Sequence, residues 1–153
     1  MKHNFQPPPV SWLRALTILL CLVANGCSTF NYDWNTAAKH PTPPNDIQGR
    51  WEGNWLSGVN GHNGKLRCLL TRLDDAQYKA RYRATYGKIF RFSYDTYVTG
   101  ERSDESFKFH GDTDLGSLAG GVYHYEGVVS PTNFFSTYKS KYDHGTFKMT
   151  RPH

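Results

Sequence analysis

With 153 residues the chain has room for one folded domain, and a 15% share of aromatic residues is enough to build a core from. The formal charge is +5, and it falls to +3 once Lys2 and Arg14 near the amino terminus are set aside. The remaining basic residues are interleaved with acidic ones, so no block exists that would track a phosphate backbone, and nucleic acid is excluded as the expected partner.

In chain order, residues 1–14 form a positively charged start. Ala15 to Ala24 (ALTILLCLVA) form an uncharged apolar run of ten residues. Such a run has the length of a signal peptide and falls short of the roughly 20 residues that a permanent membrane helix needs. It ends in LVANGC. This resembles the lipobox of bacterial lipoproteins, in which small residues precede a cysteine that is acylated on sulfur before the leader is cut away. The resemblance implies a signal peptide over 1–26, Cys27 as the lipidated (palmitate-type) new amino terminus, and attachment to a membrane through that lipid anchor. Ser28 is not the aspartate that retains lipoproteins at the inner membrane, which implies a place in the cell envelope, at the outer membrane facing the periplasm. Ala24-Asn25-Gly26 also satisfies the small-x-small rule for ordinary secretory cleavage, and that reading gives a soluble periplasmic or secreted protein. Cys21 leaves with the leader in either case. Cys68, in the strand-like LRCLLT, is then expected to be a buried small hydrophobe rather than a reactive thiol.

Residues 27–46 read as a linker. They are polar, and Pro41, Pro43 and Pro44 make the second half extended. Phe30, Tyr32 and Trp34 are unusual in a tether, and two readings stay open: they lie at the bilayer surface, or they strap across the folded domain.

From Ile47 the chain alternates apolar and polar residues, with turn signals every 8 to 12 residues. In QYKARYRATY, Tyr78, Ala80, Tyr82, Ala84 and Tyr86 share one face while Lys79, Arg81, Arg83 and Thr85 share the other. Eight strands are predicted, at about 49–57, 64–72, 77–86, 89–99, 105–113, 121–129, 132–141 and 145–150, and no segment with a helical period competes with them. Eight short antiparallel strands with one apolar face lose their two open edges by closing, so the expected fold is an all-β, eight-stranded up-and-down barrel over 47–153. Gly49-Arg50-Trp51 opens its first strand. This resembles the lipocalin and avidin (calycin) barrels, whose Gly-x-Trp plugs one end. The resemblance implies that Arg151, near the end of the last strand, packs over Trp51. The sequence as a whole is similar to small bacterial lipoproteins.

A barrel of eight strands is either filled by its own side chains or wide enough for one small ligand. The inward positions are mostly aromatic, and a core that needed only volume would favour Phe and Leu over Tyr, whose hydroxyl must find a partner. Trp51, Trp55, Tyr82, Phe92, Tyr94, Phe109, Tyr123 and Tyr125 are the candidate ligand-binding residues. The expected function is non-catalytic binding of a small hydrophobic or aromatic ligand, or of an envelope partner; a packed core with a recognising outer face is the alternative. No cofactor is expected. The histidines lack metal-ligand spacing, so no metal site is predicted. His110, Asp112 and Asp114 share one face of the fifth strand, which keeps a hydrolase open as a distant reading. The Gly-rich stretch from Asp114 to Gly121 precedes a strand, not a helix, and reads as a rim or lid rather than a phosphate loop. Oligomeric state is left open.

Overall fold

The computed structural model describes residues 29–40, 42–43, 45–87, 89–103 and 105–153; the signal expected over 1–26 and the lipidation residue Cys27 lie outside them. The alternation seen in the sequence becomes a barrel of eight antiparallel strands: β1 (Gly49–Ser57), β2 (Asn63–Arg72), β3 (Gln77–Tyr86), β4 (Phe90–Ser103), β5 (Ser106–Asp114), β6 (Val122–Val129), β7 (Asn133–Lys139) and β8 (His144–Thr150). Each strand pairs with the next, and β1 pairs with β8 to close the ring. The expected all-β up-and-down barrel is the observed fold. One boundary differs clearly: β4 continues past residue 99 to Ser103, because its ladder with β5 persists as far as the pair Ser103↔Ser106.

Closure requires β1 and β8 to approach closely, and Gly53 sits at that seam. A Cβ there would lie 2.0 Å from the carbonyl oxygen of Lys148, so only a residue without a side chain fits. The inward face forms one core, with Trp51, Leu66, Cys68, Tyr78, Tyr82 and Tyr125 among its members.

The two ends of the barrel are built differently. Turns β2–β3, β4–β5 and β6–β7 lie at one end, together with the chain entering β1 and leaving β8. This end is shut. The Trp51 indole N–H donates to the Ile47 carbonyl at 2.9 Å, and the Arg151 guanidinium lies 3.9 Å from the centre of the Trp51 ring. Arg151 also donates to the carbonyls of Asp46 (2.6 Å), Gln48 (2.8 Å) and Pro131 (3.1 Å), tying the chain entrance to the β6–β7 turn. The arrangement is the one that the Gly-x-Trp resemblance implies, and the fold is compatible with a calycin-like barrel. Loops β1–β2, β3–β4, β5–β6 and β7–β8 surround the other end, called the mouth below.

Residues 29–38, expected to form part of a tether, are instead a helix, α1, packed on the outer wall of the barrel. Phe30, Asp33, Trp34 and Ala37 recur at helical spacing on its covered side. The wall beneath carries arginines, and Arg67 and Arg83 stand directly opposite one another, a pairing that repels if left bare. The helix relieves it. Arg67 and Arg50 lie 5.0 and 5.4 Å from the Trp34 ring, Arg83 lies 5.6 Å from Phe30, and the two rings stack at 5.8 Å. Asp33 accepts from Arg81 and Asn31 from Arg83. The strap reading of Phe30 and Trp34 is therefore the one observed, whereas Tyr32 points to solvent.

Candidate functional site

The mouth is where partly exposed aromatic rings stand over buried polar groups. Strand direction decides which rings arrive there: the ends of β1, β3, β5 and β7 and the starts of β2, β4, β6 and β8. Trp55, Tyr94 and Tyr123 pack partly buried against the core at this level. The Trp55 indole N–H donates to the Thr85 carbonyl at 3.0 Å, and Tyr86 stacks on the Trp55 ring at 6.0 Å. The Tyr86 hydroxyl in turn meets His62 Nδ1 at 3.0 Å. Phe92, expected to point into the lumen, is 46% exposed and lies at the rim, 5.5 Å from the Tyr94 ring.

Below the rim the hydroxyls pair in two separate sets. Tyr125 donates to the Tyr94 hydroxyl at 3.2 Å. Tyr138 donates to Asp143 Oδ2 at 3.0 Å, and Ser57 donates to Asp143 Oδ1 at 2.6 Å. Burial pushes the Tyr82 and Tyr94 hydroxyls well above the usual range, with the neighbouring tyrosines adding to it. Burial also raises Tyr125 against the lowering effect of its hydrogen bond to Tyr94, and raises Tyr138 together with the charge of Asp143. These groups stay neutral donors. Three inward hydroxyls, those of Tyr82, Thr96 and Thr113, make no full hydrogen bond, although Tyr82 faces the weakly bonding thiol of Cys68. An unmatched buried hydroxyl costs about 1–3 kcal/mol. Cys68 itself is fully buried and its thiol is raised by desolvation, which makes it the inert small hydrophobe that its strand position suggested.

The sequence-predicted ligand residues do not all converge. Tyr94, Tyr123 and Tyr125 come together with Tyr82 toward the mouth, with Phe92 on its edge, while Trp55 stacks instead with Tyr86. Trp51 and Phe109 do not: Trp51 plugs the shut end, and Phe109 packs 5.6 Å from Phe134, where its ring also occupies the space a side chain at Gly127 would need. Periodicity places a residue on the inner face but is silent on its depth, which depends on strand direction and stagger. Tyr138 and Asp143 were missed. The alternation Phe134, Ser136, Tyr138 was the available signal for the first, and nothing local marks Asp143, whose partner Ser57 is 86 residues away.

Asp112 is paired across strands with His124, at 2.6 Å from its Nδ1, and not with His110 as the hydrolase reading supposed. The pair is exposed. Among the described residues no three His, Cys, Asp or Glu side chains converge on a point that could hold a metal ion. The arrangement offers ring faces and neutral hydroxyl donors, which suit a small apolar or aromatic molecule. A cavity of about 530 Å³ opens on the wall beside this end, lined by Leu56, Gly58, Tyr138, Lys139 and His144. The chain matches no model of a known protein family and no curated protein.

Proposed function

We propose that this protein is an extracytoplasmic lipoprotein, anchored through acylated Cys27, whose barrel holds a small hydrophobic or aromatic molecule at its mouth without transforming it. One observation carries the reading: Tyr94 and Tyr123 present partly buried rings opposite the inward hydroxyls of Tyr82 and Thr113, which lack full partners, with Trp55 partly buried at the same end. The ligand sits shallowly. Tyr82 contacts Tyr94, Tyr125, Phe134 and Phe147 within 6.5 Å, so the middle of the lumen is occupied by the protein's own rings.

Two measurements on protein purified from membranes test the two halves of the proposal. Mass spectrometry finds an acyl-modified Cys27 as the amino terminus; a free thiol there, or a retained leader, removes the anchor. Titration with an uncharged naphthylamine fluorophore gives saturable binding that Trp55→Ala weakens about tenfold, the loss expected for one stacked aromatic contact. The same filled lumen favours a second reading, an envelope lipoprotein with a solid core that recognises a partner by its outer face. Under that reading no saturable binding occurs, and Trp55→Ala changes stability alone.

A further inference from the structure

We infer that the mouth end is also the face with which the barrel docks on an anionic lipid leaflet, the β3–β4 hairpin entering the headgroup boundary. This deepens the anchored reading and rests on it for proximity to a bilayer.

The first support is the distribution of exposed apolar side chains. The β3–β4 hairpin leaves Ile89 77% and Phe90 67% exposed, with Tyr86 and Phe92 beside them. Val59 and Tyr142 stand exposed on two other mouth loops, and Val122 at the start of β6. Among the described residues the shut end offers Leu73 at its turns, with the less exposed Val128 and Phe135 on the wall beside the β6–β7 turn. Apolar side chains gathered at one end of a barrel this small mark an interaction surface, and aromatic rings mixed with aliphatic ones suit the headgroup boundary.

Charge is the second support. Lys65, Arg67, Arg83 and Arg91 line one cavity of about 250 Å³ on the wall just behind the hairpin, with Asn31 and Thr85 and no carboxylate. Lys141 lies over the Tyr142 ring on another mouth loop. The mouth's own acids are engaged: Asp143 by Ser57 and Tyr138, Asp112 by His124, and Asp114 by the Gly116 amide. Turns at the shut end carry Asp74, Asp75 and Glu105 instead. That end also carries Arg72, Arg102 and Arg151, so its charges are mixed, whereas the wall behind the hairpin is basic throughout and turns the hairpin toward a negative surface.

The third support is where the chain enters. Helix α1 starts beside Arg83, near the mouth, and runs toward the shut end, where Ala37 and His40 approach Thr71 and Lys79. Its first residue, Thr29, follows Cys27 by two positions. An acyl chain on Cys27 therefore holds the mouth end, not the shut end, against the lipid. In that pose a ligand reaches the ring cluster from the bilayer side.

The test places an indole at each end of protein purified from membranes, as Ile89→Trp and Leu73→Trp, both at exposed positions. The variants are reconstituted in vesicles of brominated phosphatidylcholine, with and without phosphatidylglycerol. Flotation reports attachment, and bromine quenching reports which end touches lipid. About half of the added emission at position 89 is expected to be quenched, as for a side chain about 5–10 Å into the boundary, with none at position 73. Adding Lys65→Glu and Arg91→Glu to Ile89→Trp removes the extra quenching that phosphatidylglycerol confers. A protein that floats while positions 89 and 73 are quenched alike overturns the docking inference alone and leaves the apolar rim to a protein partner. A protein that does not float overturns the anchored reading and this inference together.

Discussion

Arg151 shows how much one side chain can organise. Its guanidinium stacks on Trp51 and donates to carbonyls from the chain entrance and from the β6–β7 turn, a set that needs a planar fork with several donors. Lysine has neither the plane nor the reach to several acceptors. Arg151→Lys is expected to lower stability by about 2 kcal/mol, seen as a shift in the urea midpoint at unchanged slope, because two or more buried carbonyls lose their donor. Gly53 is equally specific, for a steric reason. Gly53→Ala forces the β1–β8 seam apart, since backbone, not a flexible side chain, occupies the Cβ position. A loss above about 2 kcal/mol is expected in the same assay, against a smaller one for Gly61→Asn, where the loop is open and asparagine tolerates the positive φ of 72°. Both residues were visible in the sequence, Arg151 by resemblance and Gly53 as a glycine inside a strand. Only the neighbour across the seam distinguishes a crowded glycine from one that marks a bend.

At the scale of elements, the strands and the helix were legible to different degrees. A strand with one face in a core repeats every two residues, and the repeat survives in the sequence whatever the partner strand is; β1, β3 and β5 follow it closely. Helix α1 is ten residues long, too short to be stable in water on its own. It exists because Phe30 and Trp34 cap a row of arginines contributed by β1, β2 and β3, residues 16 to 53 positions further on. The spacing of Phe30, Asp33, Trp34 and Ala37 was the available hint, obscured by the polar and proline-rich surroundings. Trp34→Ala should therefore release the element as a unit. Far-UV circular dichroism is expected to lose the helical contribution, and stability to fall by about 2–3 kcal/mol, less than for a large aromatic removed from a closed core, because one side of α1 faces solvent. A Trp34→Ala protein that keeps its helical signal would show that α1 is held by something other than the arginine wall.

For the whole molecule, the buried tyrosines set the response to alkali. Tyr82, Tyr94, Tyr125 and Tyr138 are all raised in the folded barrel, first by burial. A raised acid group binds its proton more tightly in the native state, so its contribution is fully present below the unfolded value and is lost as pH climbs toward the folded one. Stability is expected to hold to about pH 8.5, where the Cys68 thiol of the unfolded chain begins to ionise, and to fall more steeply above about pH 10 as unfolded tyrosines ionise. Each such group adds a slope of up to about 1.4 kcal/mol per pH unit. Absorbance near 295 nm should then show these four tyrosines ionising only with unfolding. Early, reversible ionisation of all the tyrosines would mean that the ring cluster is open to water.

The amino-acid sequence by itself determined the all-β class, the number of strands and the faces they turn inward, because these follow from a local two-residue period and from turns that reverse the chain. It also carried the pairing of Trp51 with Arg151. Depth along the barrel, the clustering of exposed apolar and basic side chains around the β3–β4 hairpin, and the helix laid over the arginine wall were decided only by the tertiary structure. Each depends on closure of the ring, which brings together residues far apart in the chain and leaves no repeating local trace.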